Sequence, residues 1–227
     1  MKKILIAFTA AILGLASVHA KKWNNIVGFG FTLPISSIDT DQADSDDIFQ
    51  LGYGIEGTYL GFHESGLTVK ADLGAGLSTT KDVNLQGDGT NLGIFYNVAL
   101  GAGWTFVKTE RFTLSATGMA GADFFSYNDS EDKVTLDSKE YESIDKILML
   151  GLLSAGADIF ASYRVSDHFS FFANVAARYF IIGRTTEEIN WTWKEEDYEK
   201  TTSGTKSGPD LEGKFRIQPT IGIAWKF

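Results

Sequence analysis

The chain contains no cysteine and only three prolines among 227 residues. Without cysteine there is neither a disulfide framework nor an N-terminal Cys to carry a lipid anchor. Long apolar runs are also scarce. Residues 4–15 form one, and no other stretch is uniformly apolar over the ~20 residues a membrane-spanning helix needs. Basic residues are in the minority, 20 against 29 acidic, for a net charge of −9. That balance argues against nucleic acid as a partner.

The apolar run belongs to a secretory signal expected over residues 1–20 and cleaved after export. Lys2 and Lys3 form its positive end, and Val18, His19 and Ala20 provide an acceptable cleavage site. Cleavage removes two of the 20 basic residues and no acidic one, so residues 21–227 carry a net charge of −11. What the chain has in quantity is Gly (24), Phe (17), Tyr (8) and Trp (5). Glycine with aromatics, in an exported chain without cysteine, suits a β-barrel better than a helical fold.

The last fourteen residues carry the clearest pattern. Phe215, Ile217, Pro219, Ile221, Ile223, Trp225 and Phe227 alternate with Lys214, Arg216, Gln218, Thr220, Gly222, Ala224 and Lys226. A period of two, with one apolar face and one polar or small face, is a strand between unlike environments. The chain stops on an aromatic, although terminal residues are usually polar and frayed. This ending resembles the closing signal of bacterial outer-membrane β-barrels, with Thr220, Gly222, Trp225 and Phe227 at its fixed positions. The resemblance implies that the segment is the closing strand and is read by the barrel assembly machinery. It also implies delivery by periplasmic chaperones and a surround of outer-membrane lipid.

The same period recurs upstream. Strands are expected to start near Trp23, Ile48, Leu67, Leu92, Phe112, Ile147, Phe169 and Lys214. The connections between them alternate long and short. The long ones are 34–47, 78–89, 125–146 and 183–213, and the short ones are 61–66, 107–111 and 164–168. This predicts an all-β, eight-stranded antiparallel up-and-down transmembrane barrel with short turns on one rim and long loops on the other. Both termini fall on the short-turn rim, expected to be periplasmic, and the long loops are expected outside the cell. Trp23, Tyr59, Trp104, Phe112, Tyr163, Phe169 and Trp225 lie near the short-turn end and fit a membrane–water interface. A soluble eight-stranded cup would need Lys and Glu on its outer face. Here the second face is mostly Gly, Ala, Ser, Thr and Asn, which suits the narrow lumen of a small barrel.

Little in the chain suggests chemistry. His63 and His168 fall in different short turns, and neither has a predictable nucleophile beside it. The Gly-rich pieces lie inside strands rather than at a strand-to-helix turn, so no phosphate cradle is formed. No catalytic residue, cofactor or metal is expected. Asp39, Asp41, Asp44, Asp46 and Asp47 cluster in the first long loop without the Gly and terminal Glu of a calcium-binding hand, so a solvated acidic loop is expected.

The lumen face is more informative. Glu56, Lys70, Asp72 and Asp158 are expected at a lower level, and Asp123, Arg178 and Arg216 at an upper one. Both levels hold both signs, as buried charge requires. Asp123 and Arg216 are the expected neighbours of Arg178. The set reads as a salt-bridged plug that stiffens the barrel, or alternatively as a polar constriction on a small-molecule path. In the last loop, Trp191, Trp193 and Tyr198 stand among acidic residues. They either prolong the seventh strand above the membrane or serve as binding anchors.

As a whole, residues 21–227 resemble the small outer-membrane barrels of the OmpW, OmpX and OmpA-domain type. OmpW-type resemblance implies passage of small, often hydrophobic molecules, whereas OmpX-type resemblance implies a closed barrel whose loops meet other surfaces. Lumen-facing Phe95, Met119, Phe160, Phe172 and Phe180 favour passage, and the charge set favours closure. The balance goes narrowly to passage.

Overall fold

The computed structural model describes residues 23–38, 48–80, 91–136, 139–195, 198–211 and 213–227. The expected signal segment and the Asp39 to Asp47 acidic cluster lie outside the described residues. All regular structure among the described residues is strand: β1 (Trp23–Thr32), β2 (Ile35–Ile38), β3 (Ile48–His63), β4 (Leu67–Thr80), β5 (Asn91–Lys108), β6 (Phe112–Leu136), β7 (Lys139–Arg164), β8 (Phe169–Glu195), β9 (Tyr198–Leu211) and β10 (Gly213–Lys226).

These ten segments make an eight-stranded closed barrel. β1 and β2 pair with the same two neighbours, β3 and β10, and so form one barrel strand. The break between them is at Pro34, which has no N–H to give to the ladder. Its carbonyl still accepts from Gly52 N at 2.7 Å, and Leu33 N donates to Pro219 O at 3.0 Å. From β3 to β8 each strand pairs with the next, and β10 closes the ring between β8 and β1. β9 pairs with β8 alone, above the ring. Full closure leaves no open sheet edge within a bilayer, which is the condition for strands to cross one.

Alternation fixes which side each residue takes. Large apolar side chains face outward and are exposed, including Phe29, Leu100, Ile159 and Ile221, the last at 66%. Charged side chains face inward and are buried, with Glu56 and Asp123 at 0%. This is the reverse of a water-soluble protein, and it identifies the outer wall as lipid-facing. The short turns come at one rim, between β3 and β4, β5 and β6, and β7 and β8. At the first of them Gly66 has φ of 101°, and a Cβ there would lie 2.6 Å from the Trp104 indole, so the turn needs glycine.

Three expectations need correction. The expected loop 125–146 is mostly strand, because β6 and β7 stay paired as far as Leu136 and Lys139. Likewise β8 runs through Glu195, and β9 fills much of the expected connection 183–213. The sequence of these extensions lacks the apolar alternation that marks a crossing strand, so strand and loop read alike there. Tyr59 is not an interfacial ring projecting from the wall. It is buried against Gly61, and its hydroxyl donates to Asn25 Oδ1 at 2.9 Å. Trp104, Phe112, Tyr163 and Trp225 are exposed at the short-turn end as expected.

Candidate functional site

The site lies in the lumen, where inward side chains form three layers. Near the short-turn end Ile26, Leu60, Phe62, Phe160, Phe172 and Ala224 form an apolar layer. Phe160 and Phe172 stack there with centroids 5.4 Å apart. Near the other end Ile38, Phe95, Phe125, Tyr127, Leu148, Leu150, Leu152 and Phe180 form a second. This second layer explains the continuous apolar run 147–153: Leu148, Leu150 and Leu152 face the lumen, while Met149 and Leu153 face lipid. Close packing depends on missing side chains elsewhere. A Cβ on Gly76 would fall 2.6 Å from the Gly54 Cα and 2.7 Å from the Phe95 ring.

Between the apolar layers lie all seven expected lumen charges, every one buried. They form two hydrogen-bonded clusters. In the first, Lys70 Nζ donates to Asp72 Oδ2 and to Asp158 Oδ2, both at 2.8 Å. Thr58 Oγ1 donates to Asp72 Oδ1 at 2.7 Å, and Asn174 Nδ2 to Asp158 Oδ2 at 2.9 Å. Arg178 Nη2 reaches Asp72 Oδ2 at 3.4 Å. Two cations face two carboxylates, so this cluster is balanced.

The second cluster contains Arg216 paired with Asp123, which also accepts from Ser154 Oγ at 2.8 Å. Gln218 is its hinge. The amide oxygen accepts from Arg216 and from Asn97 Nδ2, while Nε2 donates to Glu56 Oε2 and to Thr32 Oγ1 at 2.9 Å. Thr220 Oγ1 donates to Glu56 Oε1 at 3.0 Å. One cation here faces two carboxylates, and Glu56 is held by neutral donors alone.

The hydrogen bonds therefore run between the two expected levels as well as within each. Arg178 joins Lys70 and Asp72 rather than Asp123 and Arg216, and Glu56 joins Arg216 through Gln218. Strand tilt is the cause: residues at equal height along their own strands do not meet across a sheared barrel. Arg178 and Arg216 are register partners on β8 and β10, yet each turns to a different carboxylate. Gln218, Asn97, Asn174 and Ser154 escape a search confined to charged residues. Their inward parity is the signal that could have found them.

The remaining candidates separate from this site. Thr220 and Gly222 face the lumen, and Gly222 packs against Phe172 and the Phe29 carbonyl. Trp225 and Phe227 face outward and are exposed. The backbones of Trp191 and Trp193 extend β8, Trp191 opposite Ile144 and Thr202, and Tyr198 starts β9 opposite Glu195. His63 Nδ1 lies 2.9 Å from Ser65 Oγ on an exposed turn, whereas His168 sits beside the Lys226 carbonyl. No group of side chains suited to a metal ion occurs among the described residues.

A closed ring of eight antiparallel strands, apolar outside and hydrogen-bonded polar inside, defines a transmembrane β-barrel of the small outer-membrane class. One solved structure shares this fold at a TM-score of 0.50. The chain is similar to a major outer membrane protein from Thermus thermophilus, with 15% identity over 92% of this chain and 100% of that one, at a TM-score of 0.50. It is also similar to Ail, the attachment invasion locus protein of Yersinia pestis, with 13% identity over 91% of this chain and 99% of that one, at a TM-score of 0.41. A third is CarO of Acinetobacter baumannii, with 11% identity over 88% and 97% of the two chains, at a TM-score of 0.43. The likeness is one of fold. No family model matches the chain, and no curated protein matches it in sequence.

Proposed function

We propose that the protein is a closed, non-enzymatic outer-membrane barrel that acts through the hairpins it carries on one rim. The observation that carries this is the layering of the lumen. An apolar layer, a double cluster of buried charge and a second apolar layer follow one another along the axis. An ion-paired plug of this kind rigidifies the wall and presents a barrier to solute. Beyond it, β6, β7, β8 and β9 continue as a four-stranded polar sheet, in keeping with work done by surface contact. In this reading both termini are periplasmic and the hairpins are extracellular. Their excess of Asp and Glu suits a partner surface of opposite charge.

The experiment is uptake of a small apolar tracer into liposomes with and without the purified protein. The proposal expects equal uptake, and faster uptake with protein would overturn it. Single-Cys labelling on intact cells fixes the orientation, since the chain has no native Cys to interfere. Positions near Thr202 should label and those near Asp167 should not.

Passage of small hydrophobic molecules is the second reading, and a specific hollow favours it. A mostly apolar recess of about 280 Å³ lies at Tyr96, Phe124, Phe125, Met149, Leu150 and Gly151. It lies over the continuous pairing of Phe124 with Gly151 and Phe125 with Leu150, so a solute using it would have to part β6 from β7. If the tracer enters, replacing Gly151 with Leu should block it.

A further inference from the structure

The short-turn mouth of the barrel gathers cations that the plug does not use. Lys108, Arg111, Arg164 and Lys226 come from β5, the β5–β6 turn, β7 and β10. The Nζ atoms of Lys108 and Lys226 both stand 5.7 Å from the centroid of the same buried Phe62 ring. The backbone N–H of Arg164 donates to the Arg111 carbonyl at 2.7 Å, which joins the end of β7 to the β5–β6 turn. Arg111, Arg164 and Lys226 then line one small polar hollow of about 10 Å³, together with Thr113, Ser162 and Ser170.

Like charges do not converge without a reason, because each raises the cost of the next. Among the described residues no ion pair forms at any of these four cations. Glu110 is the one carboxylate lining the hollow, and it is exposed. Glu64 lies in the neighbouring turn, where its backbone carbonyl, 3.5 Å from Lys108 Nζ, is what meets the cation. Asp167 and His168 occupy the third turn, and His168 faces the Lys226 carbonyl. The hydroxyls of Thr113, Ser162 and Ser170 are inward-facing and have no hydrogen-bond partner among the described residues.

We propose that this mouth is an oxyanion site that takes a phosphate group from the aqueous phase on the short-turn side. Guanidinium forks and hydroxyl donors are the groups that recognise a tetrahedral oxyanion. The hollow admits one water-sized atom, so one phosphate oxygen enters it while the rest meets the rim cations. Its lining side chains Ile26, Thr113, Ser162 and Ser170 are buried on the lumen face, which separates it from the lipid headgroups around the outside. The apolar layer under it, with Phe62 and Phe160 at 0% exposure, makes it a blind cup rather than the start of a pore.

The test is a titration of the full folded barrel, in phosphate-free non-ionic detergent, with inorganic phosphate followed by ³¹P NMR. One saturable site per chain is expected. Arg164→Gln and Lys226→Gln should each weaken it at least tenfold, with the folded state confirmed by heat-modifiable gel mobility. Neither substitution touches the closing-strand positions Thr220, Gly222, Trp225 or Phe227. Lys194→Gln removes the same charge from the opposite rim and should leave binding unchanged. No saturable binding by the wild type would overturn the proposal. So would an equal loss in Lys194→Gln, which would mark general electrostatic attraction, or unchanged binding in both mouth variants.

Discussion

The two lumen clusters draw their charges from different strands, β4, β7 and β8 for one and β3, β6 and β10 for the other, and solve the problem of buried charge differently. Around Lys70 every charge has a partner of opposite sign: Lys70 and Arg178 against Asp72 and Asp158. Around Gln218 the carboxylates outnumber the cations, and Glu56 rests on an amide and a hydroxyl. Removing one partner of a buried pair strands the other's charge, whereas removing a charge held by neutral donors strands no charge. Formal charge alone therefore does not predict which lumen residue matters most; its partners do.

The contrast is sharpest in Lys70→Ala. It leaves Asp158 buried with no cation and Asp72 with only the 3.4 Å contact to Arg178, and unfolding in detergent micelles should show a loss of ~3–5 kcal/mol. Arg178→Ala should cost less than Lys70→Ala, because Arg178 makes a single contact at 3.4 Å and its Nε and Nη1 are already unpaired. Equal losses would erase the distinction between the primary ion pairs and the peripheral one. Next is Gln218→Ala, which deprives Glu56, Asn97 and Thr32 of one shared partner and should cost roughly 1–3 kcal/mol. A loss as large as that of Lys70→Ala would show that both clusters are held alike.

Glu56→Gln is the smallest effect and the most discriminating. It removes a charge without leaving a cation behind, and its amide oxygen can still accept from Gln218. Stability should change by less than about 1 kcal/mol, or rise. A loss of several kcal/mol would break the comparison, since it would mean that Arg216 depends on Glu56 as well as on Asp123. Above the rim, Trp191→Ser with Trp193→Ser should leave barrel unfolding within about 0.5 kcal/mol of wild type. A larger change would make that part of β8 a component of the folded core.

Much of the barrel is legible in the sequence because a bilayer imposes one requirement on every crossing strand. Phe29 to Ile221 on one face and Thr32 to Thr220 on the other can be sorted by parity alone. The closing pattern from Thr220 to Phe227 sets the end of the ring. Legibility stops between Asn128 and Lys146, where the sequence is polar at both parities, so strand and loop read alike. Parity finds all seven lumen charges, but not their partners. Which carboxylate Arg178 meets depends on strand shear, a property of the closed ring that no single strand contains. Gln218 escapes for the same reason, since its importance comes from lying between Arg216 and Glu56 once the ring is closed. The hydrophobic run at Leu148, Leu150 and Leu152 is ambiguous locally, because the lumen at that height is apolar too.

The most direct test of closure is conductance of the purified wild-type protein in a planar bilayer. Three stacked layers of buried side chains predict no stepwise current, with the membrane as resistive as one without protein. Lys70→Ala, inserted under the same conditions, opens the charged layer but leaves both apolar layers in place, so it too should remain silent. Discrete conductance steps from the wild type would contradict the closed barrel and return the lumen to the role of a channel.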